Sequence, residues 1–591
     1  SMKIKNMKNN NINVYGFDKN KNGLTKSEQV GFLDKGKKSC IELTMEDGRK
    51  ITCTEDHPLL TQENKWIKAK DLTINEDKLK VGVTCPELDI EKEITECNNW
   101  QLEVGDLTLK TDNKDNYVKT LAFARMIGLI ITDGHIDNNN RGSVYLGHKL
   151  DVEQFLEDLN MFFEKESYNT EKHCYTVCIP NELMNNIVKL EGLIIGKKVD
   201  QKAKLPEFVS NCPKPILREF LGAMFGGDGH TCFLGMHRGK RDILSSVGFS
   251  QSRTKENVES LNNMMEQIKE LLNKFDINEV SIQKPKEISD SKNKNSKIKV
   301  YQIDLHIALD NLIKFSENIG FRYCCHKLQR LEGGVSYKRL KSEVIRQHNL
   351  IVDKVDKATN YKEIRLKNPN KNVKTKDAII NAVNELKEKE ALIHDYAIPS
   401  THDINDHLIR GTKFGSFRSK SFPTAEDYLR NVGALDWFLN DKNTAYGVDS
   451  NANHLPTMNL KVIGCKSVGE KPVYDISVDK THSFLAEGVV AHNCMIAHGM
   501  AQFLKERLVN TSDQYYVHVC SSCGMFARKK PDKDIYVCQL CNDRGLSYTT
   551  HKVEIPYGFK LLIQELKSIN ILPKIKVNTD IYNEEPSKHN A

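Results

Sequence analysis

Gly488-Val-Val-Ala-His492-Asn493-Cys494 ends a β-like run on three side chains that share one chemistry. The Asn493 side-chain amide can attack its own backbone carbonyl, form a succinimide and cut the chain before Cys494. In a free peptide that reaction is very slow. It needs the amide held in attacking geometry, a proton donor for the leaving nitrogen and a polarised carbonyl. His492 and His482 are placed to serve, and Cys494, as a thiolate, is the natural nucleophile to accept an acyl group as a thioester.

A His-Asn-Cys triplet also arises by chance, so its surroundings decide. Residues 456–493 read as β: Val473-Tyr-Asp-Ile-Ser-Val, a turn at Asp479-Lys480, His482-Ser-Phe-Leu, then Val489-Val490. Residues 10–70 read as β as well. There Ser39-Cys-Ile-Glu-Leu-Thr-Met and Lys50-Ile-Thr-Cys-Thr flank Asp47-Gly48, a dipeptide suited to tight hairpins because both positions tolerate positive φ. Just beyond, Thr54-Glu-Asp-His57 sets a hydroxyl and an imidazole three residues apart. His57 can donate to a scissile amide nitrogen while Thr54 holds the carbonyl. Alone, this motif is a capped turn with a surface histidine; the joint order of the two motifs, each in a β context, argues against that. One β domain is therefore interrupted by an insert, and a different protein begins at Cys494.

Inside the insert a pattern occurs twice, as Met126-Ile-Gly-Leu-Ile-Ile-Thr-Asp133-Gly134 and Leu221-Gly-Ala-Met-Phe-Gly-Gly-Asp228-Gly229. Each reads as an apolar helix with small residues along one stripe, ending in Asp-Gly. Small residues let two helices pack closely, which brings the terminal aspartates side by side. Paired carboxylates can hold Mg²⁺ and activate water for in-line attack on a phosphodiester. One such motif is an ordinary buried helix with a glycine cap; two, 95 residues apart, imply an internal repeat. A lysine-rich segment from Arg365 precedes helix-like patterning over Asp377 to His394. Near the end, Cys520-x-x-Cys523, fourteen residues, then Cys538-x-x-Cys541 is a structural Zn²⁺ signature, because two knuckles supply four thiolates in a tetrahedron.

The totals agree. A chain of 591 residues is too long for one core. A net charge of +7 is small for that length and does not by itself announce nucleic-acid binding. No apolar stretch approaches the ~18 residues that span a bilayer, and no signal peptide opens the chain, so the expectation is an intracellular, soluble protein with no membrane partner. The sixteen cysteines then read as free thiols plus a metal site rather than disulfides.

Thr54-x-x-His57-Pro-Leu-Leu, Val473-Tyr-Asp475-Ile-Ser-Val with His482-Ser-Phe, and Val489-Val-Ala-His492-Asn493 before Cys494 resemble the conserved blocks of inteins. The resemblance implies a horseshoe-shaped all-β splicing fold, called Hint, from residues 1–75 and 456–493, with 76–104 as a linker and Asp475 assisting the catalytic thiols. The opening Ser1-Met-Lys-Ile-Lys-Asn-Met resembles the stretch after the first intein block, so the first nucleophile is expected upstream of it and this polypeptide at most cleaves at Asn493.

Residues 105–350 resemble the LAGLIDADG homing endonucleases. That implies an α/β pseudo-dimer acting on double-stranded DNA, with Asp133 and Asp228 in the Mg²⁺ positions and Lys204 and Lys299 as its catalytic lysines. Residues 351–455, with Lys413-Phe-Gly-Ser-Phe-Arg-Ser-Lys, are expected to be an accessory DNA-binding region. Cys494-Met-Ile-Ala-His-Gly-Met and Ile555-Pro-Tyr-Gly-Phe-Lys resemble the C-terminus of the second-largest subunit of DNA-directed RNA polymerases. Residues 494–591 are then a small α+β zinc-binding tail that meets other polymerase subunits, especially the largest, while nucleotidyl transfer belongs to the assembled enzyme. Two rival readings remain. A hedgehog-like autoprocessing domain shares the fold but needs neither Asn493 nor a following host segment. A polymerase fragment with a decayed, inactive insert would keep the motifs without the activity.

Overall fold

The two β zones, far apart in sequence, meet in one sheet. The computed structural model describes residues 4–7, 12–83, 89–163, 169–170, 174–237, 240–288, 299–359, 371–388, 394–399, 422–439, 454–492, 507, 511–531, 533, 535–576 and 587–588. The chain divides after His492 into two compact units. In the first, the sheet comprises β1 (Asn13–Asp18), β2 (Gly23–Met45), β3 (Lys50–Thr54), β4 (Pro58–Leu60), β5 (Trp66–Lys68), β6 (Lys78–Val81), β7 (Met458–Val478), β8 (Ser483–Ala486) and β9 (Val489–His492). Among the described residues its order is β1-β2-β7-β6-β9-β4-β5, with β3 beside β2 and β8 beside β9.

The long strands β2 and β7 run antiparallel from Gln29↔Val478 to Met45↔Val462, with register slips such as the one between Asp34 and Lys37. Each slip bends and twists the strand pair, which lets two extended strands curve around a core of Leu43, Ile51, Leu79, Leu460, Ile476 and Val489. Gly48 adopts φ 87° in the four-residue connection between β2 and β3, while Asp47 does not take positive φ, so glycine alone supplies the left-handed position of this turn. The sheet also extends past residue 75. Lys78–Val81 pairs with β7, and the segment that follows is structured, with a helix at Ile90–Cys97 and a hairpin at Gln101–Lys110. Leu79 and Val81 are fully buried, so burying them outweighs the polar residues that made the region read as a linker.

Two helices form the centre of the insert, α1 (Lys114–Asp133) and α3 (Lys214–Asp228), with α2 (Lys149–Leu159) between them in sequence. A Cβ placed on Gly128 would overlap the Phe220 carbonyl oxygen, and one on Gly227 would overlap the Thr132 side chain. The glycines thus set how closely the helices approach. Each helix leads straight into a sheet, α1 into strands at Gly134–Ile136, Gly142–Leu146 and Tyr175–Ile179, α3 into strands at Gly229–His230, Gly248–Thr254 and Val300–Ile307. Glu219 of α3 ties the pair together. Burial would raise its carboxyl, but Arg322, Arg125 and Arg218, at 2.8–2.9 Å, hold it well below the usual range.

Helix α4 (Cys325–Thr359) closes the insert. The helical segment expected over 377–394 runs instead from Lys371 to Glu388. Its Ile379, Ala382, Val383 and Leu386 pack on Ile351, Val352 and Val355 of α4, so burial of that apolar stripe places it. The Lys413 segment lies outside the described residues. In the second unit, β10 (Gln514–Cys520) and β11 (Thr549–Pro556) pair antiparallel and lead to α5 (Tyr557–Ser568). Among the described residues no helix is long and apolar enough to cross a membrane.

Candidate functional site

The last strand before Asn493 is held on both sides. Ala491 pairs with Leu59 of β4, and His492 sits opposite Ser483 of β8. Ser483, fully buried, accepts the Phe17 amide at 2.8 Å and so pins this edge to β1. His492 is buried, with its ring edge-on to Trp66 at 4.6 Å.

His57 leads into β4 at the same place. Its turn is closed by hydrogen bonds from the His57 amide to the Thr54 carbonyl and from the Ala69 amide to the His57 carbonyl. Burial pushes the imidazole below its ordinary value; Asp475 and Asp56 oppose that, while Lys35 and His492 reinforce it. Asp475 and His492 therefore both act electrostatically on His57. Asp475 is buried, and its two carboxylate oxygens accept from Lys35 Nζ at 2.7 Å and from the Ile476 amide at 2.9 Å. Thr54 ends β3, and its hydroxyl bonds the Asp56 carboxylate, which that bond holds below its usual range. His482 is exposed, on a turn with φ 49°. Asn493 and Cys494 lie outside the described residues.

A second locus forms where α1 and α3 end. Burial, and then the neighbouring Asp228 charge, push the Asp133 carboxyl up to about 6, while Lys327 and Lys198 oppose. Asp228 is likewise raised by burial and accepts Gln251 Nε2 at 2.6 Å. Lys198 Nζ donates to the carbonyls of Ile130 and Thr132 at 2.9 and 2.7 Å, and Lys327 Nζ to those of Gly226 and Gly227, both at 2.6 Å. Each helix thus carries an ammonium on its last turn, where the carbonyl dipoles are negative. Burial pushes Lys198 down to about 8.

Lys204 and Lys299 are not part of this locus. Lys204 is exposed, 3.6 Å from Glu191, and Lys299 is exposed, 3.2 Å from Glu287. The lysines at the helix ends are Lys198 and Lys327, which the sequence reading missed. Their partners lie up to 68 and 101 residues along the chain, and lysine carries no local mark of such a contact. Lys35 and Trp66 were missed for the same reason.

In the second unit, Cys520, Cys523, Cys538 and Cys541 place their sulfurs within 4.8 Å of one another. Cys520 to Cys541 is 3.7 Å and Cys523 to Cys538 is 3.4 Å. A tetrahedral ion 2.3 Å from each thiolate sets its sulfurs about 3.8 Å apart, so the cluster can hold zinc.

A sheet that joins residues 13–81 to 458–492 around an insert, with His57 and His492 at its last strand, defines a Hint-like splicing fold. The family model described as "Intein splicing domain" matches residues 1–493, and "RNA polymerase Rpb2, domain 7" matches residues 488–578. The chain belongs to the intein splicing family. It is 23% identical over 483 residues to a replication factor C small subunit of Methanocaldococcus jannaschii, covering 78% of this chain and 22% of that protein. It is 24% identical over 485 residues to a tRNA-splicing ligase RtcB of Methanopyrus kandleri, covering 77% and 43%. Matches of that length lie mostly in the first unit, shared by proteins of unrelated name. A third similarity, to DNA-directed RNA polymerase subunit 2 of Acanthamoeba polyphaga mimivirus, is 52% identical over 89 residues, 15% of this chain and 7% of that protein.

Proposed function

We propose that the first unit excises itself from a second-largest RNA polymerase subunit. The observation that carries this reading is His57 leading into the strand paired with the one that runs into Asn493, within electrostatic reach of both Asp475 and His492. The Asn493 amide nitrogen attacks the Asn493 carbonyl carbon, the bond to the Cys494 nitrogen breaks, and a succinimide forms. The attacking nitrogen loses a proton and the leaving nitrogen gains one, with His492 as donor. His482, at the exposed turn, serves proton exchange with solvent. Thr54 and His57 act on the upstream junction, Asp475 assists the thiols, and Cys494 accepts the acyl group. Replacing Asn493 by Ala in the full chain tests this. Mass spectrometry should then find no released 494–591 fragment; release that persists overturns the reading.

The insert is, in this reading, a LAGLIDADG endonuclease of residues 105–350 that cuts double-stranded DNA. Two adjacent carboxylates form an all-oxygen donor set that suits a hard divalent cation, so Asp133 and Asp228 would hold Mg²⁺. The ion supplies charge neutralisation and water activation when bound. Lys198 and Lys327 hold the two helix ends in place and set a positive field over the scissile phosphate. Residues 351–455 add DNA contacts. Purified protein with Mg²⁺ should cleave DNA carrying the uninterrupted polymerase gene; no cleavage with Mg²⁺ or Mn²⁺ selects the decayed insert. Cys520, Cys523, Cys538 and Cys541 would hold Zn²⁺ in a structural role, in a tail that joins the other polymerase subunits.

A further inference from the structure

Lys35 stands where β2 slips against β7. Asp34 pairs with Tyr474 and Lys37 with Pro472, so Lys35 and Gly36 together stand opposite Val473, one extra residue on that strand. Gly36 takes φ 70°, and its amide bonds the Asp34 carboxylate at 2.9 Å. A bulge of this kind re-aims a side chain. Here it sends the Lys35 ammonium to Asp475, whose side chain is only 3% exposed. Among the described residues Lys35 is the one cation in an ion pair with Asp475. The other ionisable groups at this locus, among the described residues, include His57 and Asp56 on the 54–57 turn, His492 on β9, and Lys38 and Cys53, which act on Asp56 or feel it.

We propose that Lys35 is a positioning residue of the splicing site, fixing the Asp475 carboxylate beside His57. This rests on the reading of Asp475 as part of that site. A buried carboxylate whose cation is removed favours its protonated form. Without Lys35 the buried Asp475 carboxylate loses the ion pair that holds it in place.

The test uses the full chain with Lys35→Met, and Lys35→Arg as the charge-preserving variant. In the uncleaved Asn493→Ala chain, NMR titration of the His57 ring gives the readout. Asp475→Asn should lower the His57 midpoint, because the Asp475 charge raises it. If Lys35 fixes that carboxylate beside His57, the same change should have at most half its effect in Lys35→Met and its full effect in Lys35→Arg. An equal effect of Asp475→Asn in all three backgrounds overturns the proposal. If the parent chain releases no tail at any pH, the splicing reading fails, and the His57 titration still decides the role of Lys35.

Discussion

Arg49, in the hairpin of the splicing sheet, and Glu332, in the helix that closes the insert, meet at 2.8 Å, each with a side chain about 3% exposed. Arg49 also grips Asp47 at 2.8 Å, and Ser336 donates to that aspartate at 2.9 Å while sharing a hydrogen bond with Tyr428. Burial would raise Asp47, but Arg49 holds it below its usual range. Lys327, in the first turn of the same helix, braces the end of α3 beside Asp228. One helix therefore touches both the splicing hairpin and the carboxylate pair.

Removing one member of so buried a pair leaves an uncompensated charge. Glu332→Ala should lower unfolding free energy by about 3–5 kcal/mol, read by urea denaturation. Replacing both Arg49 and Glu332 with apolar residues should recover much of that loss. A single-variant loss below about 1 kcal/mol would show the pair to be dispensable.

Asp133 gives a pH signature. Its folded-state carboxyl titrates near 6, above the ordinary value. A raised carboxyl contributes stability that is present at low pH and is lost as pH rises through the folded value. Metal-free Asp133→Asn should therefore be more stable than the parent at pH 8, by up to about 3 kcal/mol, while DNA cleavage disappears and tail release continues. Equal melting temperatures at pH 8 would count against the buried, like-charged pair.

The lysines separate by position. Lys198→Met and Lys327→Met should each reduce DNA cleavage at least a hundredfold, an effect of the size expected for a lost group in the reacting field. Lys204→Met and Lys299→Met, on exposed pairs, should stay within about twofold. The reverse order would move the chemistry away from the helix ends.

Helix approach can be tested apart from chemistry. Gly128→Ala forces a methyl against the Phe220 carbonyl, and overpacking of this kind costs about 1–3 kcal/mol. DNA cleavage should fall while the splicing sheet still releases the tail. Unchanged cleavage would show that the helices tolerate a wider spacing.

In the tail, a chelator should expose four thiols, counted with a thiol reagent, and abolish the protection of β10 and β11 against hydrogen exchange. Four thiols that react fully before chelation would exclude a resident ion.

Much of this was legible locally. Thr54 and His492 end strands, His57 adjoins one and Asp475 lies near the end of β7, where a two-residue period and adjoining turns leave a readable pattern. The helices ending at Asp133 and Asp228 were readable from glycine spacing, because only small residues permit such contact. The tertiary structure alone decided which cations serve those groups: Lys35 for Asp475, Lys198 and Lys327 for the helix ends, Arg49 for Glu332. A lysine or arginine can reach any carboxylate or carbonyl that the fold brings within a side chain's length. Its partner is therefore set by chain topology, which no local pattern encodes, and that is why Lys204 and Lys299 were plausible in sequence yet stand elsewhere in space.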